Sequence, residues 1–175
     1  MRGAWSLASI LQAFGVRRGG HRDISQMADA RRLICTPLAA WEREGLKAAL
    51  VRAGLPADDV DDPYLLTWRF ETYEDVPVGF GGLEIHDYDA LLRSVVTLPP
   101  LRQIGMGAAI VSALEAEARA HRCRAIYLMT TTEADFFGGL GYGACARGDL
   151  PEAIGASRQF AALDHPTARV MVKRL

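Results

Sequence analysis

The segment from Val95 to Ala108 constrains the chain more than any other. Val95, Val96 and Thr97 end a strand, Pro99 and Pro100 stop its ladder, and a helix opens on Gly105 and Gly107. A helix start exposes unpaired N–H groups and the positive end of the macrodipole, so this unit is an anion site. Glycine lets the backbone approach a phosphate closely, and Arg102 adds a charge-assisted donor. Two common phosphate loops are excluded. A dinucleotide loop needs G-x-G-x-x-G/A, but Ile110 stands at its last position, and no lysine completes a P-loop.

The flanking periodicities supply the frame. Leu33 to Thr36 reads as a short strand, and Thr36-Pro37 as the cap and first turn of a helix. Its buried face takes Leu38, Trp41, Leu46, Ala49, Leu50 and Ala53, and Gly54 stops it. Pro56 to Asp62 is an acidic loop or a short second helix. Three strands follow, Tyr64 to Tyr73, Val78 to Ile85 and Leu91 to Leu98, with the last two joined by a turn over His86 to Asp89. The long helix from Gly105 buries Ala108, Ile110, Val111, Leu114 and Ala118. Ala125 to Thr130 is a central strand, Glu133 to Leu140 a short helix, Pro151 to Leu163 helical or irregular, and Ala168 to Lys173 a last strand. Antiparallel strands followed by βαβα give a mixed α/β sheet, mostly antiparallel, with a parallel section between the fourth and fifth strands and helices on both faces.

At 175 residues, 50% hydrophobic and 23% charged, the chain fits one domain. A net charge of -1 gives no footprint for nucleic acid, and no apolar run reaches the length of about 18 residues needed to cross a bilayer. Cys35, Cys123 and Cys145 are far apart and odd in number, and read as buried cytosolic thiols rather than a disulfide framework or metal site. The expected location is the cytoplasm. Residues 1–31 form a basic extension outside the domain of residues 32–175, and residues 1–32 carry +4 while the rest carries -5. Met27 offers a true start, so residues 1–26 are read as a misassigned start or a loose extension in preference to a targeting segment.

Arg102, Gly105 and Gly107 match R-x-x-G-x-G, placed after a strand and before a helix. This loop resembles the pyrophosphate loop of the GNAT N-acetyltransferase superfamily, and the likeness extends over about residues 32–175. The run Phe136-Phe137-Gly138-Gly139-Leu140-Gly141-Tyr142 is similar to that family's late helix-to-strand segment. Ala90 to Ser94, Thr130-Thr131-Thr132, and Arg147 followed by Pro151 to Ile154 resemble a bacterial GNAT group encoded in arsenic-resistance operons.

The resemblance implies acetyl-coenzyme A as co-substrate, no metal, and acetyl transfer to a small-molecule amine such as an amino acid or its analogue. Val95, Val96 and Thr97 would hydrogen-bond the pantetheine arm, with a backbone N–H polarising the thioester. Arg102, Gln103, Ile104, Gly105, Met106, Gly107 and Ala108 would hold the pyrophosphate. Glu84, on the strand beside the cofactor strand, is the candidate base for the attacking amine. Exposure to solvent is the competing account of Glu84, and His86 shares its face. The family's tyrosine acid falls on Phe137, which is expected to pack on the pantetheine instead. A thiolate of pKa about 8.5 can leave without that donor, or with help from water or Thr132. Arg93 and Arg147 are candidates for an acceptor carboxylate, against surface or internal ion-pair roles. A protein N-terminal or lysine acetyltransferase and a non-catalytic acyl-coenzyme A sensor remain as alternatives. A homodimer through a sheet edge or the C-terminal strand stays open.

Overall fold

A computed structural model describes residues 33–99, 105–162 and 167–175, so the basic extension lies outside the described residues. Strands β1 (Ile34–Pro37), β2 (Leu65–Glu71), β3 (Pro77–His86), β4 (Asp89–Thr97), β5 (Ala125–Thr130), β6 (Gly143–Ala144) and β7 (Arg169–Arg174) form one sheet. Its order is β1-β2-β3-β4-β5-β7-β6, antiparallel except for β4 against β5. Helix α1 (Arg43–Arg52) covers one face over β3 and β4, and α2 (Met106–Ala120) covers the other. The short helices α3 (Ala134–Gly139), α4 (Glu152–Gly155) and α5 (Arg158–Ala162) complete the layers. The mixed sheet expected from the sequence is the one observed, except that β6 was not anticipated.

Each face is filled by the stripe that its period dictates. Ile110, Val111, Leu114 and Ala118 of α2 pack on Leu83, Leu92, Ile126 and Leu128. On the opposite face Leu46, Ala49 and Leu50 of α1 meet Phe80, Val96 and Leu98. Each fully buried leucine stabilises the fold by about 1.5–3 kcal/mol.

Helix α1 begins later than the sequence suggests. Pro37 is still in β1, opposite Trp68, and the N–H of Leu38 donates to the Thr67 carbonyl at 2.8 Å. As an edge-strand residue Pro37 forfeits no needed ladder bond, so the strand runs through it. A 3₁₀ turn, Ala40–Glu42, then leads into the helix, and the Ala39 N–H donates to the Glu42 carboxylate at 2.9 Å. That tighter turn rotates Trp41 outward to 61% exposure, although the helical period had placed it on the buried face. Residues 56–63 form turns and no second helix. Of the three cysteines, only Cys123 is buried, while Cys35 and Cys145 are half-buried.

Glycine brings α2 directly against the β3 backbone. A Cβ on Gly79 would overlap the Val96 carbonyl oxygen and lie 2.9 Å from Ile110 Cδ1, and one on Gly81 would lie 2.6 Å from Leu114 Cδ1. Gly79→Ala is therefore expected to cost about 1–3 kcal/mol of stability through overpacking. Urea denaturation reads this directly. An unchanged midpoint would mean that the β3–β4 backbone yields freely.

Candidate active site

The sheet splits in its middle. β4 and β5 pair over three rungs, Asp89 with Ala125 through Leu91 with Tyr127, and no further. A bulge explains the parting. Gly82 opposes Arg93 while Phe80 opposes Val96, so Ser94 and Val95 together face Gly81, and Ser94 sits at φ 56°. The extra residue bends β4. Among the described residues no rung joins β4 to β5 beyond Leu91, and Val95, Val96 and Thr97 lie along the part of β4 that follows. An extended ligand can add itself there as a strand would.

The start of α2 closes one end of this opening. Gly105 is the N-cap at φ 75°, a left-handed conformation that glycine adopts without strain. No side chain caps the helix and no acid occupies its first turn, which leaves the N–H groups and the dipole to an outside anion. Gly105 is exposed, Gly107 and Ala108 are half-buried, and Met106 is in the core. Arg102, Gln103 and Ile104 lie outside the described residues.

Three elements converge at Gly107. Its Cβ position is 3.4 Å from Phe136 Cζ and 3.5 Å from Thr97 Oγ1, which joins α2, α3 and the end of β4. Phe136, not Phe137, is thus the aromatic at the mouth of the opening. Phe137 is buried, edge-on to Tyr142 with centroids 5.6 Å apart. Sequence reasoning singled out Phe137 and missed Phe136, because the rotation of a six-residue helix is not encoded in its period. Tyr142 is also buried; its burial, followed by the neighbouring Glu115 carboxylate, pushes the phenol well above its usual range. Burial likewise raises Tyr127.

Glu84 stands in the row where the strands part, since it opposes Leu91, the residue of the last β4–β5 rung. It is 3% exposed, which removes the solvent-facing account of its side chain. Its Oε1 is paired with Nη1 of Arg93, two positions along β4 on the same face, and its Oε2 lies 3.5 Å from His86 Nε2. Arg93 is also paired through Nη2 with Asp59, in the loop after α1. The expectation that Arg93 would meet an acceptor carboxylate is therefore corrected: this buried guanidinium is already engaged by two carboxylates of the chain itself. The internal ion pair is what folding produced.

Arg147 is exposed, in a 3₁₀ turn after β6, with its Nη2 3.8 Å from Met129 Sδ. It lines a groove of about 410 Å³ together with Arg169, Asp135 and Cys145, beside the end of β5. Arg93 and Arg147 are thus not one binding site. Among the described residues no group of three His, Cys, Asp or Glu side chains is placed to hold a metal, and no helix is long and apolar enough to cross a membrane.

Comparison with known proteins agrees with this geometry. The N-acetylglutamate synthase of Neisseria gonorrhoeae, solved with coenzyme A and L-arginine, is similar at TM-score 0.64 and 14% identity, over 82% of this chain and 33% of that one. An acetyltransferase of the GNAT family from Staphylococcus aureus is similar at TM-score 0.62 and 15% identity, over 82% and 99%. An aminoglycoside 6'-N-acetyltransferase complexed with coenzyme A is similar at TM-score 0.57 and 19% identity, over 81% and 96%. These likenesses speak for the fold. No curated protein matches the chain. The model of the acetyltransferase (GNAT) family matches residues 28–141, more than half the chain, and spans β1 to α3 with the split and the glycine helix start between them. The chain belongs to the acetyltransferase (GNAT) family.

Proposed function

We propose that the protein transfers an acetyl group from acetyl-coenzyme A to the amine of a small molecule by direct attack. The observation that carries this reading is the placement of Glu84 in the row where β4 and β5 separate, at one end of an open stretch of β4 whose other end, Thr97, meets an uncapped helix start. The pantetheine arm lies along Val95, Val96 and Thr97, and the pyrophosphate rests on the helix start at Gly105 to Ala108. Phe136 covers the arm at Gly107. Solved neighbours bound to coenzyme A support this cofactor assignment.

In the reaction the amine nitrogen forms a bond to the thioester carbon, and a backbone N–H of β4 holds the developing oxyanion. Glu84 takes the amine proton through a bound water, because a carboxylate 3% exposed does not reach the acceptor freely. The carbon–sulfur bond then breaks and the thiolate leaves, with no tyrosine needed at position 137.

The acceptor is an amino acid or an analogue of one. Arg147 and Arg169, which line the groove beside the end of β5, suit its anionic group. The likeness of Ala90 to Ser94 and of Thr130 to Thr132 to GNAT proteins of arsenic-resistance operons favours an analogue over a common metabolite. The cytoplasm, where acetyl-coenzyme A and free thiols coexist, is the site of action.

The test is release of thiol from acetyl-coenzyme A against amino acids, phosphinic and arsenical amino-acid analogues, polyamines and peptides. Turnover confined to the anionic amino compounds is the expected result. Activity confined to peptides would select a protein acetyltransferase. The burial of Phe137 at the position of the family's acid favours one second reading, a non-catalytic acyl-coenzyme A sensor. Tight coenzyme binding with silence across the panel would select it.

A further inference from the structure

We propose that Arg93 and Asp59 together set the charge and orientation of the Glu84 carboxylate, so that Arg93 is a positioning residue and not a substrate ligand. The catalytic meaning of this rests on Glu84 being the base; the electrostatics does not. A carboxyl group buried at 3% exposure with no partner is driven toward its neutral form, which cannot accept a proton. Arg93, itself 5% exposed, supplies the compensating charge from the next strand. A one-to-one pair has the opposite defect, since a carboxylate bound only to a guanidinium is a weak base. Asp59 relieves this by taking the second guanidinium nitrogen, Nη2. Two carboxylates then share one cation.

The arrangement also ties the base to the loop after α1. Asp61, two residues beyond Asp59, is bound to Lys47 of α1 at 2.7 Å and lies 3.9 Å from Arg43. Val60 between them is fully buried against α1. Asp59 therefore reaches Arg93 from a loop anchored at three residues, and the seating of that loop fixes the position of the guanidinium.

The titratable groups facing Glu84 can be named. Arg93 and His86 pair with it, Asp59 of the loop shares Arg93, and by register Asp89 of β4 and Tyr127 of β5 stand on the same face of the sheet. On β2, Arg69 is held by Glu42 and Glu71. On α4, which packs over this region through Ile154, Glu152 is exposed. The two partners of opposite sign make the proposal testable, because removing each one must move Glu84 in opposite directions.

The experiment is a carbon-13 NMR titration of the Glu84 side-chain carboxyl in the full chain, free of coenzyme, with the resonance assigned by its loss in Glu84→Gln. Arg93→Met removes a cation, so the midpoint should rise by about one to three pH units. Asp59→Asn removes an anion and leaves Arg93 wholly to Glu84, so the midpoint should fall. Arg93→Lys keeps the charge and should restore most of the wild-type midpoint. Should Arg93→Met not fold, Asp59→Asn carries the test alone, and a midpoint that fails to fall in it overturns the proposal. Midpoints of Arg93→Met and Asp59→Asn that stay at the wild-type value, or that move the same way, would overturn the proposal. Because no acetyl transfer is measured, the two readings fail separately. Opposite shifts alongside an active Glu84→Gln would remove only the assignment of Glu84 as base.

Discussion

Glu84→Gln is expected to bind acetyl-coenzyme A as the wild type does and to lose acetyl transfer by about 10²–10⁴-fold, the usual contribution of a positioned base. The amide keeps the size of the carboxylate and can still accept from Arg93, whose second partner, Asp59, stays in place. No bare cation is therefore left in the core, the circumstance that makes breaking a buried pair most damaging. Calorimetry with coenzyme A and thiol release with the acceptor found in the panel separate the two effects. The loss should ease as pH rises and more of the amine arrives without its proton. Turnover equal to wild type at neutral pH would remove Glu84 from the mechanism.

The second large effect lies at the mouth of the opening. Gly107→Leu is expected to weaken coenzyme A binding by about 10- to 10⁴-fold while leaving the fold at least as stable. The Cβ position already stands 3.4 Å from Phe136 and 3.5 Å from Thr97, so the outer carbons of leucine occupy the gap among them. A phosphate pushed off the helix start loses one or two charge-assisted hydrogen bonds, each of about 1.5–3 kcal/mol. At about 1.4 kcal/mol per tenfold, that accounts for the loss. Leucine is meanwhile a better helix residue than glycine by nearly 1 kcal/mol or about that. A lowered affinity with an undiminished Tm therefore marks a blocked site. A variant that binds normally would show that the anion lies elsewhere along the loop.

How much of this was legible in the sequence depended on the range of the interactions. The long helix and the central strands were readable because their burial repeats at 3.6 and 2 residues, and each repeat is local. Trp41 misled because a single 3₁₀ turn, invisible in the apolar period, shifted its face. Two-residue β6 carries no period at all; it exists because β7 offers it an edge.

The ion pair of Glu84 and Arg93 is the instructive middle case. A two-residue turn at Asp87 and Tyr88 sets His86 opposite Asp89 and hence Glu84 opposite Leu91, so Arg93 falls one diagonal step away on the same face. The turn was read, but its register was not carried forward to the charges. Asp59 had no such signal, because a loop of turns has no register to extend.

The strand order also bears on how the chain folds. β1 to β4 are neighbours in sequence as well as in space, so hairpins and α1 can assemble that half through local encounters. β7 instead enters between β5 and β6, pairing Thr130 with Arg169 and Ala144 with Met171. Until that late segment arrives, β6 has nothing to join, and the outer edge of β5 stays open to other chains. The half that needs β7 to complete it is thus, on contact-order grounds, the one more open to misassembly.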